Sequence, residues 1–332
     1  MDNSQRKRIK RAVFSITLLV CGLSLIFFSP QPALAQQPPS VSYVGLYISN
    51  HSVTAASMNP QTEYAVKVTV TDSDFLSDLS TVKVTIFYDS GGSYNPTNIP
   101  ISGDTATAVI LTCTVGSTPS WSIDPGSDTT WSIFSSNCVQ PALSGTSGDF
   151  WFHFKPGKVA TATAGSARWH LYAKATDSAA AVGDNYQANL TMNWYGELTI
   201  NTPSVNWNSV SPGTGYGAGV NKQSSISVKY IANGNYKTQV MSSPSWTGSG
   251  SNASFDNSGG CASPGQFSLE ANSTGTFPGS QITTSGVDID QTGTQTTETG
   301  TTASTNALWL KVAQVFRNNT YSGSITYTIA SR

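Results

Sequence analysis

"YAVKVTVTDSDFLSDLSTVKVTIFY", Tyr64–Tyr88, decides the fold. It opens with strict alternation: Tyr64, Val66, Val68 and Val70 take one face, and Ala65, Lys67 and Thr69 the other. It closes the same way, with Val82, Val84, Ile86 and Tyr88 set against Lys83, Thr85 and Phe87. A two-residue period puts successive side chains on opposite faces of a pleated strand, so each run predicts a strand with one buried face. Between them lies "TDSDFLSD", rich in residues whose side chains bond their own backbone and favour turns. Such strands hide their apolar faces against a second sheet, and a β-sandwich is the economical solution.

The same pattern recurs along the chain. "YQANLTMNW" (Tyr186–Trp194) sets Tyr186, Ala188, Leu190, Met192 and Trp194 against Gln187, Asn189, Thr191 and Asn193. Further strands are expected near 41–49, 106–115, 150–154 and 168–175. In the second half, "SISVKYI" groups Ile226, Val228 and Tyr230, and "ALWLKVA" sets Leu308, Leu310 and Val312 against Trp309. "YSGSITYTI" turns Ile325, Tyr327 and Ile329 inward. Short β-branched and aromatic runs divided by Gly, Ser, Asn, Asp and Pro predict an all-β chain. Its length after residue 35 suits two antiparallel β-sandwiches in tandem, 36–196 and 197–332, joined near "YGELTINTPS" (Tyr195–Ser204). The Thr- and Gly-rich tract 283–305 has little to bury and predicts a long loop or an edge hairpin.

The first 35 residues have the layout of a secretory signal peptide. A basic start (Arg6, Lys7, Arg8, Lys10, Arg11) precedes an apolar run, Ala12–Phe28, and small residues at Ala33-Leu34-Ala35 place cleavage before Gln36. Removing them takes away five basic residues and one acid, leaving 12 basic and 17 acidic side chains. That mildly acidic balance offers no counterion-release gain for nucleic acid. No second apolar run follows, so the mature chain has no expected transmembrane span. The expected location is secreted or at the cell surface.

"VTVTDSDFLSDLSTVKVTI" (Val68–Ile86) resembles the paired strands of bacterial and archaeal extracellular Ig-like, cadherin-like or PKD-like modules. "VNWNSVSPGTGYG" (Val205–Gly217) and the closing "YSGSITYTI" are similar to first and last strands of other prokaryotic surface β-sandwiches. The resemblance implies a surface or secreted module used in adhesion, stalks or cell-envelope layers. It is a likeness of fold, and such folds host many functions.

Candidate site residues follow. An oxidising destination makes a disulfide the default, and Cys113 with Cys138, in one domain, are the favoured pair. Cys261 is left over as a free thiol or an intermolecular link. Asp72, Asp74 and Asp78 fall in one turn, and Asp177, Asp184 and Asn185 in another; such oxygens serve either as calcium ligands or as turn bonds to the backbone. In "FWFHF" (Phe150–Phe154) the three Phe share a face, leaving Trp151 and His153 opposite. In "RWHLY" (Arg168–Tyr172) Trp169 and Leu171 share a face, leaving Arg168, His170 and Tyr172 opposite. If both apolar faces point inward, Trp151, His153, His170 and Tyr172 project together as a binding surface; otherwise a loop or the second domain covers these rings, or Trp151 is core and the faces are reversed. His51 reads as part of a surface turn.

No G-x-S-x-G, H-E-x-x-H or phosphate-cradling loop occurs, so no catalytic residue is assigned and no cofactor other than calcium is expected. The leading expectation is a non-enzymatic structural or adhesive surface module, whose partner is a cell-surface glycan, a protein or another copy of the chain. A carbohydrate-binding module using exposed rings and a secreted hydrolase are the alternatives.

Overall fold

The computed structural model describes residues 36–127 and 130–332; the signal-peptide reading of 1–35 lies outside the described residues. Pro38–Arg332 forms one compact unit. Among the described residues the chain is built from strands, with two single-turn 3-10 helices (Leu76–Asp78 and Pro96–Asn98) and no α-helix.

The first half holds β1 (Ser40–Ile48), β2 (Ser57–Met58), β3 (Tyr64–Thr71), β4 (Leu79–Asp89) and β5 (Ala108–Thr114). It continues with β6 (Ser120–Ile123), β7 (Ser132–Ile133), β8 (Ser147–Lys155), β9 (Arg168–Asp177) and β10 (Val182–Met192). A four-stranded sheet, β1-β3-β8-β7, faces a six-stranded sheet, β2-β10-β9-β4-β5-β6. Alternation does what it predicts in the quoted stretch: Val66, Val68 and Val70 from β3 and Val82, Val84 and Ile86 from β4 have no exposed surface. They meet Phe150, Phe152, Phe154, Trp169 and Leu171 in one core. Each such side chain contributes roughly 1.5–3 kcal/mol by leaving water.

Strand β10 departs from its expected pattern. Leu190 and Met192 are buried, but Tyr186 is 49% exposed. The register against β9 shifts between Gln187 and Leu190, and Asn189 takes a left-handed φ of 67°. This β-bulge adds a residue and turns the strand's first half over, because one extra residue reverses a two-residue period. Gln187 accepts the Leu46 N–H at 2.8 Å through its Oε1.

The second half holds β11 (Gly196–Ile200), β12 (Lys222–Ala232), β13 (Tyr236–Ser242), β14 (Ser245–Gly248), β15 (Ala253–Phe255) and β16 (Gln266–Asn272). After these come β17 (Ser280–Gln281), β18 (Val287–Gly293), β19 (Thr301–Val312), β20 (Tyr321–Ser322) and β21 (Ile325–Ser331). A large sheet, β11-β12-β19-β16-β15-β14-β20 with β17 beside β16, accompanies a small one, β18-β13-β21. Ile226, Val228, Tyr230, Leu308, Leu310, Val312 and Tyr327 share a second core. Trp309, on the other face of β19, is also fully buried, with Phe277 against its edge. The tract 283–305 is about half strand: β18 is an edge strand, and the start of β19 pairs with β12. Between them Thr296 donates its N–H to Ala232 O (3.0 Å) and accepts the Ala232 N–H on Oγ1 (3.0 Å).

The halves meet at Asn233, which has no exposed surface. Its Nδ2 donates to Ala160 O (2.8 Å) and Asn193 O (2.9 Å), and its Oδ1 accepts the Tyr195 N–H (2.7 Å). Gln295 Nε2 adds a bond to Val159 O at 2.8 Å.

Candidate functional site

The four aromatic-face residues expected to project together are divided, and that reading is corrected. Both apolar faces do point inward, but β8 belongs to the four-stranded sheet and β9 to the six-stranded one. The 12-residue connection from Pro156 to Ala167 crosses the sandwich instead of closing a hairpin. Trp151 and His153 therefore lie on one outer face, His170 and Tyr172 on the opposite one.

On the four-stranded face, Trp151 anchors a strip of rings. His51 stacks on it with centroids 3.8 Å apart and planes 13° from parallel, and Tyr47 meets its edge at 5.2 Å. The Tyr47 and Tyr43 hydroxyls lie 3.0 Å apart. Lys67 Nζ sits 5.7 Å from both the Tyr43 and Trp151 ring centres and pairs with Asp149 at 2.8 Å. The Tyr43 hydroxyl is pushed up to about 12, first by burial and then by its bond with Tyr47.

His153 is turned into a chain of bonds beneath the strip. Its Nδ1 lies 2.8 Å from Glu63 Oε1, and its Nε2 lies 2.7 Å from His51 Nε2. Burial opposes ionisation of Glu63, but bonds from Asn137 (3.0 Å) and His153 hold its carboxyl below the ordinary range. Burial, and then the charge of His153, lowers the His51 imidazole. Sequence reasoning missed His51. It lies 102 positions from His153 with φ 63°, in a turn where Asn50 Oδ1 accepts from Ser52 N (3.1 Å). The turn was legible; its fold-back over Trp151 was not.

On the six-stranded face a loop covers the rings. His170 has no exposed surface, and neither ring nitrogen meets a hydrogen-bond partner among the described residues. Phe87 and Tyr94 pack against it at 5.4 and 5.8 Å, and Tyr94 stacks on Tyr186 at 3.7 Å. Asp89 folds this loop inward by accepting from Gly91 N (2.7 Å) and Asn98 Nδ2 (2.9 Å). Burial lowers the His170 imidazole, with Asp89 acting in the opposite sense. Tyr172 donates its hydroxyl to Asp184 Oδ2 at 2.9 Å.

Cys113, Cys138 and Cys261 are free thiols, so the expected Cys113–Cys138 link is corrected. Cys113 points from β5 into the core, whereas Cys138 Sγ accepts the His153 N–H at 3.2 Å on the facing sheet. Burial pushes the Cys113 thiol up to about 12 and the Cys138 thiol to about 11.

The two acidic turns are also rearranged. Asp177 joins Asp72, Asp74 and Asp78 at one end of the sandwich, while Asn185 bonds Val41 O at 3.0 Å.

No protein family matches the chain, and no curated protein does. Among solved structures it is similar to BcpA, the major pilin subunit of Bacillus cereus, at 9% identity and a TM-score of 0.23. That match covers 84% of this chain and 57% of BcpA, so the chain spans little more than half of that relative. A second similarity is to the 35 kDa C-terminal fragment of the major pilin GBS80 of Streptococcus agalactiae, at 9% identity and a TM-score of 0.22. It covers 89% of this chain and 92% of that fragment. Likeness at this level carries no argument about function.

Proposed function

We propose that the chain is a non-enzymatic extracellular surface module of adhesive type, which engages its partner through the outer face of β1, β3 and β8. The observation that carries this reading is the strip Tyr43–Tyr47–Trp151–His51, flanked by Lys67 and Asp149. Tyr43 is 38% exposed and Trp151 half-buried, so ring surface and hydroxyl groups are offered on a rigid sheet. Rings fixed in this way stack on a sugar or bury against a protein at small entropic cost. The layout of residues 1–35 supports delivery outside the cell. No helix among the described residues is long and apolar enough to cross a membrane.

A glycan array and a sedimentation assay for self-association test the reading together. Tyr43→Ala and Trp151→Ala should each abolish the interaction found in either assay while leaving the far-UV circular dichroism unchanged. An interaction indifferent to both substitutions refutes this face as the contact surface.

A further inference from the structure

Where β3 leaves the four-stranded sheet, carboxylates from two distant segments converge. Asp72 follows β3, Asp74 and Asp78 lie in the turn and 3-10 helix after it, and Asp177 ends β9 of the facing sheet. Ser178 ties the segments together, donating its N–H to Asp78 O (2.9 Å) and its Oγ–H to Asp78 Oδ1 (2.6 Å).

Asp72 and Asp177 are each only 1% exposed. In both, one oxygen performs ordinary turn chemistry: Asp72 Oδ1 accepts the Asp74 N–H (2.9 Å), and Asp177 Oδ1 accepts the Ala181 N–H (2.8 Å). The other oxygen does not. Among the described residues, Asp72 Oδ2 and Asp177 Oδ2 are both buried without a hydrogen-bond partner, and neither carboxylate enters an ion pair. A buried carboxylate oxygen with no partner is costly, and such atoms in folded proteins mark a proton, a water or an ion. Here neighbouring charge adds to the cost. Burial first, and then the charges of Asp78, Asp74 and Asp177, push the Asp72 carboxyl above its ordinary value.

We propose that Asp72 Oδ2 and Asp177 Oδ2 are two ligands of a calcium ion bound at this end of the first sandwich. The orphaned atoms are hard oxygens, and a divalent cation neutralises the cluster while supplying both missing partners. Among the described residues no three His, Cys, Asp or Glu side chains are placed to hold a metal ion. The remaining ligands are therefore backbone carbonyl and water oxygens, which calcium accepts in a flexible shell of six to eight and zinc does not. The site joins the end of β3 to the end of β9, so binding staples one sheet to the other. It does not depend on the aromatic face.

The test uses the purified chain after dialysis against EDTA. Calorimetric titration with CaCl2 should give one ion per chain, with a rise in melting temperature that MgCl2 at the same concentration does not match. Asp72→Asn and Asp177→Asn should each weaken calcium at least tenfold. Their metal-free forms should melt no lower than the parent, because Asn keeps the shape and removes a buried charge. Should either variant fail to fold, hydrogen exchange of the parent decides: calcium should add protection at residues 72–78 and 177–181. No calcium heat at millimolar concentration, undiminished affinity in both variants, or protection elsewhere overturns the proposal. So does a melting temperature that rises on acidification and ignores calcium, since the orphaned oxygens would then share a proton.

Discussion

His51 and His153 face each other through their Nε2 atoms at 2.7 Å, and the same His51 ring lies flat on Trp151. One loop residue thus closes over two neighbours of a single strand. Trp151 is held from outside by His51 and Tyr47, whereas Phe152, one position on, is buried in the core against Trp121. Phe152→Ala should cost about 3–5 kcal/mol, as aromatic truncation in a packed core does. Trp151→Ala should cost about 1–2 kcal/mol, since it gives up half-exposed area and ring contacts. Urea denaturation of the two variants checks this, and equal losses would place Trp151 in the core.

Acid should unfold the chain partly through His170. Its folded-state imidazole lies below the ordinary value of 6.5 because the buried ring resists a charge. Above 6.5 both the folded and unfolded rings are neutral, and the group contributes no pH dependence. As pH falls below 6.5 the unfolded ring gains a proton first, so stability declines until the folded ring titrates too. His170→Phe should flatten the decline in melting temperature between pH 7 and 5 relative to the parent. An unchanged slope would show that His170 protonates freely in the fold.

The thiols give a chemical prediction. With Cys113 at about 12 and Cys138 at about 11, the thiolate fraction at pH 8 is very small, and iodoacetamide should label neither in the folded chain. In urea without reductant, Cys113, Cys138 and Cys261 should all be labelled, as read by peptide mass. A Cys113–Cys138 pair that takes label only after reduction would contradict the free-thiol state.

Asn233 should couple the two halves energetically. Asn233→Ala strips partners from the Tyr195 N–H and from the Ala160 and Asn193 carbonyls. Each buried group left unpaired costs roughly 1–3 kcal/mol, so a loss of at least about 3 kcal/mol is expected, and the two halves of the variant should melt separately where the parent melts as one. A loss below about 1 kcal/mol would mean that water replaces the amide.

Strand faces were legible in the sequence, because a two-residue period records which side chains are buried. Val66, Val84, Phe152 and Leu308 all lie where alternation puts them. Strand neighbours were not legible. Alternation is indifferent to which sheet a strand joins, and so Trp151 and His170 looked like companions while β8 and β9 lie in facing sheets. The bulge at Asn189 was hidden for a related reason: one left-handed residue inverts a face without altering the composition around it. The contact of His51 with His153 and the charge interaction of Asp177 with Asp72 span about a hundred residues, and turn composition carries no trace of such neighbours.

The Thr- and Gly-rich tract has the composition of a linker that proteases sever, yet its backbone is engaged along much of its length. Cleavage requires a segment to be drawn out as a lone extended strand. Here that means peeling β18 from β13 and pulling Thr296 away from both of its Ala232 bonds. The tract should thus resist digestion until the sheet opens locally, and its lifetime among extracellular proteases is set by that opening rather than by its amino-acid composition.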